Sequence, residues 1–175
     1  MVWLKFLIIT LLFFVLALAQ NSFFPHISVL GFTPNLIFAL CFVLIFFENP
    51  TKTSTGFFSI IIAGFLLDVF SPFYFGASMI SLLLIYLLFK LTGYFLNQLK
   101  GKLLLLYFIP MFLVFFALYN VLCYLLTNFP HLSISIPSEA FAGLAYNLAF
   151  VMVMFFIHTL FIKEKTNNKQ LKLFQ

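Results

Sequence analysis

The sequence has very little charge and contains no arginine. Only 7% of its 175 residues are charged, and the net charge of +5 comes from nine basic residues against four acidic ones. A soluble domain of this length needs far more charge to cover its surface, so a soluble protein is excluded. The basic residues are all lysines that flank apolar runs without forming a basic face, which argues against a nucleic-acid partner.

Groups that bind metals or perform catalysis are also scarce. The two cysteines, Cys41 and Cys123, fall inside apolar runs and are interpreted as small core residues. The three histidines, His26, His131 and His158, are too widely separated to suggest a metal site. No serine or cysteine has an obvious base beside it, and no glycine-rich phosphate loop is present. We therefore expect no metal, no cofactor and no enzymatic activity.

The sequence does contain long apolar runs. It is 65% hydrophobic with a mean hydropathy of +1.20, and its apolar runs approach 20 residues. This pattern predicts an all-α fold, a polytopic transmembrane helical bundle of about six spans in the lipid bilayer. Residues 1–162 are expected to form a single membrane domain, and 163–175 a basic cytoplasmic tail. The spans are expected near 3–19, 34–47, 54–70, 75–95, 103–126 and 138–162.

The first span, and the short second and third spans, leave alternatives open. Ala17-Leu18-Ala19 resembles a signal-peptide cleavage site, although a retained first helix is the favoured interpretation. Thr33-Pro34 suggests a helix cap followed by proline at the first helical position. The second and third spans are short, so they cross a thinned membrane, tilt little or are partly re-entrant.

The lysines predict the orientation of the chain. In a six-span arrangement all of them fall on one side of the membrane, which by the positive-inside rule places both termini in the cytoplasm. They are Lys5, Lys52, Lys90, Lys100, Lys102, Lys163, Lys165, Lys169 and Lys172.

The third span carries one carboxylate, Asp68, well inside an apolar helix that also contains Gly56 and Gly64. The glycines indicate close helix packing. Because Asp68 precedes a turn at Ser71-Pro72, it is expected to accept hydrogen bonds from amides near 75–77, which would lock a helical hairpin. A carboxylate that faces a partner or a ligand is the alternative.

Other polar residues fall within the last two spans. Glu139, Gly143 and Asn147 recur every four residues and share one helix face, while Asn120 lies in the fifth span. The simpler interpretation is hydrogen bonding between helices. The sharper one is a polar cavity that Asn120, Glu139 and Asn147 would line together with Asp68.

In these motifs the chain resembles the MreD family, whose members are the small membrane subunit of the bacterial rod-shape complex. The similarity lies in Pro34-Asn35-Leu36 and above all in the block 56–86. Within that block the pattern consists of Gly64-Phe65-Leu66-Leu67-Asp68, Ser71-Pro72, Gly76 and the following helix to Tyr86. Pro137-Ser138-Glu139, Asn147 and the basic C-terminus also fit. The family often has aspartate where this chain has Asn35, and arginine where this chain has lysine.

The resemblance implies a non-enzymatic scaffold in the bacterial cytoplasmic (inner) membrane. It would bind MreC and, with RodA and a class B penicillin-binding protein, link the cytoplasmic MreB filament to lateral peptidoglycan synthesis and cell shape. Gly56, Gly64, Asp68, Pro72, Gly76, Pro34 and Asn35 are its motif residues, with a structural or partner-binding role.

The MreD fold is similar to that of the substrate-binding subunits of energy-coupling-factor vitamin transporters. A small-molecule-binding transport subunit is therefore the alternative function. Such subunits usually present two alanines four residues apart on the first helix, and Ala17 and Ala19 lack that spacing.

Overall fold

A computed structural model describes residues 2–28, 32–48, 54–71, 74–96, 104–128 and 140–171. Over these residues the chain is all-helical, with six α-helices and a short 3-10 helix, Phe24–Ile27, after the first. The helices are α1 (Val2–Ser22), α2 (Leu36–Phe46), α3 (Ser54–Phe70), α4 (Ala77–Leu96), α5 (Leu104–Asn128) and α6 (Ala140–Leu171).

Three of the described helices are long and apolar enough to cross a membrane. Their apolar stretches are Trp3–Ser22 in α1, Leu105–Thr127 in α5 and Gly143–Leu160 in α6. The apolar stretches of α2, α3 and α4 are shorter, at 10–17 residues. The length and composition of these helices thus support a helical membrane protein.

The short helix α2 lies at the centre of the bundle. Ten of its 11 residues are buried, because it is apolar on every side and the other helices enclose it. It packs against α1, α3 and α6, and its phenylalanines reach α4 and α5. Its length of about 16 Å is well below the thickness of a bilayer core, and the burial of its residues shows that protein surrounds it.

The core is built from phenylalanine. Phe42 of α2 packs edge-on against Phe108 and Phe112 of α5, with ring centroids 5.4 Å apart in both pairs. Phe108 also contacts Phe155 of α6 at 4.4 Å. Such pairs each add about 0.5–1.5 kcal/mol beyond simple burial. The phenylalanine side chains therefore join α2, α5 and α6.

Polar side chains collect at the two ends of the bundle. At one end, here called the lysine end, Lys5 of α1 donates to Thr55 of α3 at 2.8 Å, and Lys90 of α4 pairs with Glu48 after α2. The opposite end, here called the Asp68 end, contains Asp68 together with polar residues from α1, α5 and α6. The apolar core occupies the space between these ends.

One predicted helix boundary is wrong. Helix α2 begins at Leu36 with Asn35 as its N-cap, because the Asn35 side chain accepts from the Phe38 amide at 2.9 Å. Pro34 is fully buried before the helix and does not occupy its first position. The apolar stretch of α6 ends at Leu160, close to the expected end of the sixth span near Ile162, and the helix itself continues to Leu171.

Candidate functional site

The carboxylate of Asp68 binds the start of the next helix. Asp68 is only 4% exposed. Its Oδ2 accepts from the amides of Gly76 at 2.9 Å and Met79 at 3.2 Å, and its Oδ1 accepts from the amide of Ser78 at 2.8 Å. These amides lie at the positive end of the α4 dipole, where a carboxylate is stabilised. The prediction that Asp68 joins α3 to α4 is confirmed, with Gly76 inside the expected range and Ser78 and Met79 just beyond it.

Gly76 explains why α4 requires a cap from another helix. Its carbonyl accepts the first helical hydrogen bond, from the Ile80 amide at 2.9 Å, so Gly76 occupies the N-cap position. Its φ of +98° lies in the region that strongly favours glycine. Because a glycine has no side chain to bind the free amides, Asp68 supplies that group from α3.

Gly64 brings the two helices close enough for this contact. A Cβ atom at Gly64 would lie 2.6 Å from the Cα of Met79, so α3 and α4 meet backbone to backbone there. Met79 is also one of the residues whose amide binds Asp68. The glycine and the carboxylate therefore act together. Pro72, the remaining motif residue of this hairpin, lies outside the described residues.

The N-terminus of α2 is capped from three directions. Gln20 of α1 accepts from the Leu36 amide at 2.9 Å, and Asn147 of α6 accepts from the Asn35 amide at 2.6 Å. The Asn35 side chain binds the Phe38 amide from within the helix. Asn147 is buried and also donates to the Gly143 carbonyl at 2.8 Å. These contacts fix the start of α2 between α1 and α6.

Helix α5 reaches the same end of the bundle through Tyr119 and Cys123. The Cys123 Sγ donates to the Oγ of Ser81 in α4 at 3.4 Å. The buried Tyr119 side chain lies beside those of Ser78 and Asn35. A buried set of polar groups therefore links α2, α4, α5 and α6 at the Asp68 end.

At the lysine end, Glu48 has the same role that Asp68 has at the other. Its Oε1 accepts from the Gly56 amide at 2.5 Å, in the first turns of α3. Its Oε2 lies 3.1 Å from the Lys90 Nζ and 3.5 Å from the Tyr86 hydroxyl. A Cβ atom at Gly56 would collide with this carboxylate, so any larger residue there would force the Glu48 side chain to move.

Glu48, Lys90, Gln20 and Tyr119 are absent from the set predicted from the sequence. The only local signal for Glu48 is an acid that closes an apolar run eight residues before Gly56. Asp68 lies in the last turn of α3 and Glu48 just after α2, and each carboxylate binds the helix that follows. Asp68 accepts from three amides, and Glu48 from an amide and a lysine, so their oxygens act as structural acceptors. No group of three metal-ligating side chains occurs among the residues that the structure describes.

The residues predicted to line a polar cavity do not come together as expected. Asn147 is buried near Asn35, but Asn120 is exposed on the outer surface of α5. Glu139 lies outside the described residues. Asn120 is therefore separate from the buried polar groups, because its position on α5 faces away from the bundle.

Comparison with known proteins finds no counterpart: no family model, no curated protein and no solved structure matches this chain.

Proposed function

We propose that the chain is an MreD-like membrane scaffold of the bacterial cell-elongation complex, without enzymatic activity. In this role it binds MreC and, with RodA and a class B penicillin-binding protein, supports lateral peptidoglycan synthesis. Its link to MreB is indirect. The bundle would cross the cytoplasmic membrane in six segments, with both termini in the cytoplasm.

The observation that carries this proposal is that buried and half-buried polar side chains bind the backbone amides of other helices. Asp68, Asn147 and Gln20 each accept from a backbone amide of another helix or helix start. Glu48 does the same for Gly56. Groups engaged in this way hold helices in register, as a scaffold requires, and offer no free base or nucleophile for chemistry.

The motif residues support the same proposal. Gly64, Asp68 and Gly76 form one structural unit, in which the first permits close packing and the other two join α3 to α4. The resemblance to MreD rests mainly on this unit. A motif that builds a hairpin fits an architectural family better than a catalytic one.

The proposed orientation agrees with the placement of lysine. Lys5 and Lys90 lie at the same end of the bundle, where α1 begins and α4 approaches its end. The lysines near the C-terminus follow the apolar part of α6, whose His158 stacks on Phe47 at that end. By the positive-inside rule this end faces the cytoplasm.

The alternative, a vitamin-binding transport subunit, is favoured by the buried polar groups at the Asp68 end, which would face outward. Tyr119, Ser78 and Asn35 lie together there. The Asn35 side chain is occupied by the Phe38 amide, and the amides of Asn35 and Ser78 are bound by Asn147 and Asp68, which leaves the scaffold as the better-supported function.

Depletion of the protein in its own bacterium separates the two functions. A scaffold of the elongation complex predicts that cells widen and become round, and that supplied vitamins do not restore the rod shape. Loss of growth without rounding, or rescue by a vitamin, would instead support the transport subunit. A plasmid copy of the wild-type gene is the control.

A further inference from the structure

Asn120 places a primary amide on the outside of the bundle, within the apolar stretch Leu105–Thr127 of α5. Its Nδ2 donates to the Phe116 carbonyl at 2.7 Å, one turn back along its own helix. No described residue donates to its Oδ1. Ala117 and Val121, beside it on this face, are exposed, and their side chains carry no hydrogen-bond donor.

In a chain that crosses the bilayer through this apolar stretch, the Asn120 amide lies away from interfacial water. Asn120 lies seven residues before Thr127, which corresponds to about 10 Å along the helix. Lipid tails offer no donor, and an unsatisfied polar group in hydrocarbon is costly. Polar side chains on lipid-facing helices commonly find their partner on another helix.

We propose that this face of α5 is the contact between two copies of the chain, with Asn120 of each copy hydrogen-bonded to Asn120 of the other. The contact surface consists of Asn120, Ala117 and Val121. Ala117 lies one turn from Asn120, and its small side chain lets the two backbones approach. This inference is independent of the proposed function.

The depth of Asn120 indicates that the partner of this face of α5 is a second copy of the chain. Two copies inserted in the same direction are related by a two-fold axis along the membrane normal, so identical residues meet at identical depth. A primary amide has both donor and acceptor groups and therefore complements itself. A helix of another protein would need its own polar group at this depth.

The association is measured with the full-length chain in phosphatidylethanolamine–phosphatidylglycerol vesicles, by energy transfer between labelled copies across a range of protein densities. We expect the wild type to dimerise, and Asn120→Leu to weaken the dimer about five- to tenfold. Val153→Leu is the matched control. Val153 is exposed on α6, and like Ala117 it lies about ten residues from the Asp68 end of its apolar stretch. It should leave the affinity unchanged.

Cross-linking tests the geometry without altering Asn120. In a chain with Cys41→Ala and Cys123→Ala, oxidation should link copies that carry Ala117→Cys but not copies that carry Val153→Cys. A monomer at all densities, equal cross-linking at both positions, or an Asn120→Leu affinity equal to that of the wild type would overturn the proposal. So would photocross-linking in native membranes that joins position 117 only to a different protein.

Discussion

The Asp68 carboxylate and the Gly76 amide are joined by a 2.9 Å hydrogen bond that connects the end of α3 to the start of α4. Gly76 has a backbone conformation that favours glycine, and Asp68 supplies the cap that this glycine lacks. The buried acid and the later glycine therefore act together to join the two helices at one turn. The same logic recurs at the lysine end, where Glu48 binds the Gly56 amide.

Replacing Asp68 by leucine should destabilise the fold. The change leaves three amides without an acceptor in a buried place, and we expect a loss of about 2–4 kcal/mol in the free energy of unfolding. Asp68→Asn keeps one acceptor oxygen and should lose less. Reversible unfolding in mixed micelles measures both, with Val69→Leu, at an exposed neighbouring position, as the control. Equal stability of Asp68→Leu and this control would contradict the capping role.

Gly64 should tolerate even a small side chain poorly. In Gly64→Ala the new Cβ meets the Met79 backbone at 2.6 Å, so the helices must separate and the Asp68 contacts lengthen. We expect a loss of about 2 kcal/mol. Gly143→Ala is a sharper comparison than a surface change, because its Cβ would meet only the ring edge of Phe32 at 3.0 Å, and a side chain can move. The same unfolding experiment should show a smaller loss there, and the reverse order would refute this account of the α3–α4 contact.

The pair Glu48 and Lys90 should be energetically coupled. Their charged atoms lie 3.1 Å apart, and the Glu48 side chain is 4% exposed whereas that of Lys90 is 25% exposed. A double-mutant cycle with Glu48→Gln and Lys90→Met isolates the interaction, since glutamine can still accept from the Gly56 amide. We expect a coupling of about 1 kcal/mol that falls as salt is added, because Lys90 is partly solvated. Additive effects of the two changes would show that the ion pair contributes nothing.

Two asparagines on neighbouring helices should respond differently to the same substitution. Asn147→Leu removes the acceptor for the Asn35 amide and should cost the monomer about 1–2 kcal/mol. Asn120→Leu removes only a bond to its own helix and should change monomer stability by less than about 0.5 kcal/mol. Unfolding measured at high dilution in detergent compares them directly. Similar losses for both would mean that the assigned environments are incorrect.

The sequence is a good guide to the helices and to the contact of Asp68, because both depend on local information. Apolar length predicts helices, and the partners of Asp68 lie only 8–11 residues further along the chain, across a turn marked by proline and glycine. The start of α2 was misplaced because Thr33-Pro34 matches a general capping pattern. Asn35 outweighs that pattern, because its side chain caps the Phe38 amide locally and its own amide binds Asn147 of α6.

The remaining site residues could not be found in this way because their partners are distant in sequence. Asn147 binds an amide 112 residues away, and Glu48 meets Lys90 across 42 residues. Helical periodicity places Asn120 and Asn147 on helix faces, but it does not say which face meets the core.

The most direct test of the scaffold function is affinity purification of the tagged chain from gently solubilised native membranes, followed by mass spectrometry. The account predicts recovery of an MreC protein and a RodA protein with the wild type. Asp68→Leu should recover less of both per mole of folded chain, because the hairpin that shapes the bundle is weakened. Recovery of an ATPase with a membrane coupling subunit, or of a bound vitamin, in place of MreC and RodA would contradict it.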